Sequence, residues 1–174
     1  MEIHRFEKVW LVVSLALIVG FIATIVYGAV GVGVTMIDDG GGQVDPDDLG
    51  ETKFAEPGVR QVGENRYAVY VVAFQFGFAP GSAEAITVPA DANVTFYVTS
   101  RDVVHGFYLE GTNVNSMVIP GQVAEIPTRF EEPGTYGIIC HEYCGAGHHS
   151  MAGTVEVVPA SEYNASAHVV GGEN

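Results

Sequence analysis

From Val9 to Ile37 the chain runs 29 residues without an Asp, Glu, Lys or Arg. Such a stretch has few places to go. About 20 apolar residues in helical form cross a bilayer, and lipid offers no partner for unpaired backbone groups. The run therefore predicts one membrane-spanning helix. Trp10 at its start suits the lipid–water boundary, while Tyr27 and the glycines at 28, 31 and 33 predict that the helix ends or thins before Ile37. Arg5 and Lys8 precede the run, and Asp38 and Asp39 follow it. That asymmetry puts the N-terminus in the cytoplasm and the remainder outside, in a single pass through the cell membrane. A cleaved signal peptide would have an apolar region of about 7–15 residues ending in a small-residue site. Thr35-Met36-Ile37 offers no Ala-x-Ala pattern, so residues 1–37 are expected as a retained anchor.

Residues 38–65 are rich in Gly, Asp, Glu and Pro, and read as a solvated acidic linker. From Arg66 the texture changes to short runs of β-favouring residues separated by Pro and Gly. These runs are Tyr67–Phe78, Ile86–Pro89, Ala92–Thr99, Val103–Leu109, Gln122–Thr128, Thr135–Cys140 and Thr154–Val158. Many short strands with turn residues between them predict an all-β sandwich or barrel over 66–158, followed by a polar tail over 159–174. Phe74, Phe76 and Phe78 are expected on one face of the first strand, packing into the core. The formal charge of -14 excludes a nucleic-acid binder working through a basic patch. It suits a basic protein partner or salty surroundings instead.

The chemistry gathers between Cys140 and Met151, in Cys-His-Glu-Tyr-Cys-Gly-Ala-Gly-His-His-Ser-Met. Both cysteines of the chain are here, with three of its six histidines. Thiolate, imidazole and thioether together select copper over magnesium, calcium or manganese. One disulfide is the alternative use of two cysteines, but their spacing beside His and Met favours ligation. A mononuclear blue-copper site needs two His, one Cys and a weak axial Met. This loop holds one thiolate more, and two bridging thiolates make a pair of coppers the natural occupant. Each ion would then have one imidazole and one weak donor: Met151 for one, a backbone carbonyl between the cysteines for the other. His148, not His149 or His141, keeps three residues after Cys144 and two before Met151. The second imidazole is expected from His105 in Asp102-Val-Val-His-Gly-Phe, with Asp102 placed to orient it. A structural zinc site of Cys140, Cys144, His105 and His148 is the non-redox alternative, and it leaves Met151 unexplained.

With these residues in place, the chain resembles subunit II of haem-copper cytochrome c oxidases, which carries the binuclear copper centre called CuA. The shared pattern is Cys-x-x-x-Cys-Gly-x-x-His-x-x-Met with an upstream His, here Cys140, Cys144, Gly145, His148, Met151 and His105. Similarity runs from about Tyr67 to Val158, and the single anchor resembles the B-type branch. The resemblance implies a cupredoxin-like Greek-key β-sandwich with one N-terminal transmembrane helix. It implies that the Glu142 backbone oxygen is a copper ligand and that its carboxylate binds magnesium at the border with subunit I. It also implies an electron-transfer role, taking electrons from cytochrome c or a small blue-copper protein and passing them to haem in subunit I for oxygen reduction. The copper subunit of a nitric oxide reductase is the alternative within this resemblance. Relatives use a tryptophan for electron entry. The only tryptophan here is Trp10, which leaves Phe74, Phe76, Phe78 or Tyr108 for that role.

Overall fold

The computed structural model describes residues 4–31 and 40–168, in two compact units. The first is helix α1, Arg5–Val26, continued by a π-helical turn at Tyr27–Gly31. His4 caps it: the Phe6 N–H donates to the His4 ring, and the His4 N–H donates to the Glu7 carboxylate at 2.9 Å. No residue of α1 is buried within the protein. At about 1.5 Å per residue its 22 residues reach roughly 33 Å, enough for a bilayer core. Asp38, Asp39 and the end of the run at Ile37 lie outside the described residues, as do residues 169–174 of the tail.

Among its described residues the second unit has ten strands: β1 Gly58–Gly63, β2 Arg66–Phe74, β3 Gly77–Ala79, β4 Ile86–Pro89, β5 Asn93–Ser100, β6 His105–Leu109, β7 Asn115–Val118, β8 Ala124–Arg129, β9 Gly134–Ile139 and β10 Ala152–Val158. A short helix, α2 Ala165–His168, follows. One sheet has the order β1-β2-β5-β8 with β3 paired to β2, and the other β4-β10-β9-β6-β7. The β2–β5 and β4–β10 pairs are parallel. In β5, Val94, Phe96 and Val98 are buried while Thr95 and Tyr97 are half-buried, the period-2 alternation of a pleated strand. Phe96 meets Phe107 of the facing sheet at 5.5 Å between ring centres, and Phe78 meets Phe107 edge-on at 5.7 Å. These rings tie the two sheets together.

Several expectations are corrected here. The run Tyr67–Phe78 is not one strand: the chain reverses at Gln75 and Phe76, so that Phe74 pairs with Gly77. Phe74, Phe76 and Phe78 therefore do not share a face. Phe78 is buried in the core, Phe74 is half-buried beneath the Arg101 guanidinium, and Phe76 is exposed. The stretch 38–65 is not simply solvated either. Within it lie β1 and a second apolar cluster, in which Phe54 packs with Ala68, Tyr70, Val72 and Val123. That cluster explains β2, whose Val69 and Val71 face the main core while Ala68, Tyr70 and Val72 face Phe54. A strand covered on both faces carries an unbroken apolar run. Strands β1 and β7 escape the sequence pattern because Arg60, Gln61, Asn115 and Ser116 dilute it.

Phe54→Ala is thus expected to destabilise the β-unit by about 3 kcal/mol, read from denaturant unfolding of the full chain in detergent. A change within roughly 0.5 kcal/mol would mean that the segment is solvated after all.

Candidate metal centre

Three neighbouring strands of the second sheet converge on one end. Strand β6 pairs with β9 through Tyr108–Ile139, and β9 pairs with β10 through Ile139–Ala152. His105 begins β6, Cys140 follows β9, and Met151 precedes β10. The loop between β9 and β10 closes on itself: the Cys140 N–H donates to the Met151 carbonyl, and a 3-10 turn at His148–Ser150 is held by the Gly145 and Gly147 carbonyls. Gly145 has φ +132°, a conformation that side chains disfavour, so the sharp loop depends on it.

All six residues singled out from the sequence meet here. Cys140 Sγ lies 3.9 Å from Cys144 Sγ, 3.9 Å from His105 Nδ1 and 3.1 Å from the Glu142 carbonyl oxygen. Cys144 Sγ lies 3.7 Å from His148 Nδ1 and 3.6 Å from Met151 Sδ. His105 has no solvent exposure, and both cysteines and Met151 are buried. His141 and His149 are exposed and outside the cluster, although the His141 ring covers the Gly106 backbone. Two contacts have no signal in the sequence. The Gly106 N–H donates to Cys140 Sγ at 3.4 Å, and the Gln75 side-chain N–H donates to the Cys144 carbonyl.

Asp102 takes the other side of the imidazole. Its Oδ1 is 2.7 Å from His105 Nε2 and accepts from the Val103 N–H at 2.6 Å, while its Oδ2 accepts from the Gln75 N–H at 2.7 Å. An ionised carboxylate only accepts, so Nε2 carries a proton toward Asp102. Nδ1 is the nitrogen turned to Cys140, donating to the thiolate when protonated and offering a lone pair to a metal when not. Burial pushes the Asp102 carboxyl up, but these hydrogen bonds outweigh it and hold the group below its ordinary value. Burial pushes His105 down, and its bonds to Cys140 and Asp102 outweigh that, raising it. Burial likewise opposes ionisation of Cys140, yet hydrogen bonds from His105 and Gly106 bring it down to about 6. Burial and then the Cys140 charge push Cys144 up to about 11. At neutral pH the two sulfurs thus carry a single negative charge between them.

This set fits a soft metal. A sulfur–sulfur distance of 3.9 Å is far beyond the ~2.05 Å of a disulfide. It is also below twice the ~2.3 Å of a zinc–thiolate bond, so an ion on either side of the sulfur–sulfur line can touch both. Around the sulfurs stand two imidazoles, a thioether and a carbonyl, the donors that copper accepts.

Comparison with known proteins agrees with the fold. Residues 80–158 match the family described as cytochrome C oxidase subunit II, periplasmic domain. A cytochrome c oxidase subunit 2 of Thermus thermophilus is 45% identical over 159 residues, covering 89% of this chain and 93% of its own length. A chain from a cryo-EM structure of a heme-copper terminal oxidase dimer superposes with a TM-score of 0.70 at 35% identity, covering 88% of this chain and 100% of that one. The periplasmic domain of a Bradyrhizobium japonicum cytochrome oxidase subunit II matches at a TM-score of 0.51 and 22% identity, over 55% of this chain and 86% of that domain, and supports the fold alone. Fold and anchor define a membrane-anchored, cupredoxin-like protein with an extracytoplasmic domain. The chain belongs to the cytochrome c oxidase subunit II family. It is the electron-transfer subunit of an oxidoreductase complex, and the family implies copper.

The thiol pair makes a signed prediction for the metal-free full chain. Unfolded, both thiols titrate near the ordinary value of 9.0; folded, one proton leaves at about 6 and the other at about 11. Below 9 the proton that Cys140 gives up is offset by the one that His105, raised by the same contact, keeps. From 9 to about 11 the folded state still holds the Cys144 proton that the unfolded state has lost, so stability falls with pH. Relative to the double variant Cys140→Ser/Cys144→Ser, stability read from denaturant midpoints is expected to fall between pH 9 and about 11. A flat difference would contradict the shared charge.

Proposed function

We propose that His105, Cys140, the Glu142 carbonyl, Cys144, His148 and Met151 hold a binuclear copper centre of the CuA type. The observation that carries this reading is the division of the site into two equivalent halves. Cys140 has one imidazole, His105, and one weak donor, the Glu142 carbonyl; Cys144 has His148 and Met151. A single zinc ion would use both thiolates and both imidazoles but leave Met151 and the Glu142 carbonyl idle, whereas two ions sharing both sulfurs use every donor. When bound, the pair supplies a one-electron carrier whose charge is spread over two ions and two sulfurs.

The chain's own residues do the rest. Asp102 fixes the tautomer and tilt of His105, and the Gly106 N–H stabilises negative charge on Cys140. Burial of both sulfurs, Met151 and His105 keeps water from rearranging around the donors as charge arrives. Electrons pass from here to haem in subunit I, where oxygen is reduced. The Glu142 carboxylate, half-buried, is proposed to hold a magnesium ion against that subunit. Arg5 and Lys8, before α1, favour an N-terminus in the cytoplasm and a domain outside the cell membrane. The net charge of -14 favours a basic electron donor, either cytochrome c or a small blue-copper protein.

Two experiments test this. Purified full chain loaded with copper in detergent is expected to be purple and to hold two coppers, with one unpaired electron shared by both nuclei in electron resonance. A colourless protein holding one zinc would overturn the reading. Electron uptake from a basic donor is expected to slow as salt rises past roughly 0.1 M, where the screening length drops to about 10 Å; salt-independent uptake would remove the steering role.

A further inference from the structure

We propose that Gln75 is a positioning residue that locks the two halves of the metal site into one register. This rests on the binuclear reading above. Gln75 sits in the reversal between β2 and β3, on a short turn whose ends are fixed by the Phe74–Gly77 and Val72–Ala79 pairs. It makes one bond to each segment that brings donors to the site. Its backbone N–H donates to Asp102 Oδ2 at 2.7 Å, and the other oxygen of that carboxylate holds His105. Its side-chain N–H donates to the Cys144 carbonyl, 69 residues away in sequence.

The loop is shaped to receive it. A Cβ at Gly145 would come within 2.7 Å of the Gln75 amide nitrogen and 3.1 Å of the Phe76 ring, and one at Gly147 within 2.5 Å of that ring. Gln75 and Phe76 thus lie flat on bare loop backbone, where two glycines allow the approach. His105 and Cys144 are also joined indirectly, through Cys140. Gln75 supplies a second tie that bypasses the sulfurs. Because the amide donates to the carbonyl of Cys144 itself, it sets the orientation of the peptide that leads into Gly145, and with it the reach of the Cys144 side chain. Gln75 is exposed, so its contribution lies in this bond rather than in core packing.

Both cysteines are buried, so alkylation in the metal-free chain requires the loop to open. The test measures iodoacetamide labelling of the reduced, metal-free full chain in detergent, comparing wild type with Gln75→Ala and Gln75→Met. The Met variant keeps the bulk and loses the donor. Loss of one neutral hydrogen bond is expected to raise the labelling rate roughly threefold to tenfold in both variants, with unfolding midpoints little changed. Release of copper from the loaded chain to a chelator should quicken by a similar factor. Wild-type labelling in the Met variant, or in both, would overturn the inference and leave the copper reading standing. Failure of wild type itself to hold two coppers would overturn that reading instead.

Discussion

A fully buried imidazole must satisfy both of its nitrogens or incur a desolvation cost, and His105 divides them between a carboxylate and a sulfur. Nε2 is committed to Asp102, which leaves Nδ1 facing Cys140. That division joins the start of β6 to the loop 35 residues later and decides which atom is free for a metal. Asp102 can serve this way because it is itself held by the N–H groups of Gln75 and Val103. Remove the carboxylate and the ring would have a buried donor without a partner. The remainder of the site is arranged around this fixed point.

The sandwich explains how such a point is kept still. β6, β9 and β10 are adjacent in one sheet, so their ends move together, and each contributes a donor at the same edge. Beneath them Phe107, Leu109 and Ile138 are packed without exposure against Phe96 and Phe78 of the facing sheet. A close-packed interior resists small displacements. The second cluster around Phe54 covers the outer face of β2 and stiffens the strand that leads into Gln75. A one-electron carrier benefits from this rigidity, because donors that hardly move need little reorganisation.

Legibility in the sequence differed by region for physical reasons. The loop donors were readable because Cys140, Cys144, His148 and Met151 lie within twelve residues and have no role together in a core. His105 could be read only in the light of that loop; alone it looks like a core histidine, and it is in fact as buried as one. The anchor was plain because nothing but lipid accepts so long an uncharged run. The turn at Gln75 and Phe76 was not visible, since neither residue is a typical turn former and the flanking apolar residues continue the strand pattern. The packing of residues 40–57 was hidden too, because a single buried Phe54 among Asp, Glu, Gly and Pro has no period to detect. Gln75 depends on a contact across 69 residues, which no local pattern encodes.

Donors held at fixed positions by hydrogen bonds and packing should hardly respond to the electron they receive. X-ray absorption at the copper edge of the loaded full chain, recorded oxidised and then reduced, measures this directly. Copper–sulfur distances are expected to agree between the two states within ~0.2 Å, with the same ligand count. A larger change, or loss of a ligand on reduction, would contradict a rigid preformed site.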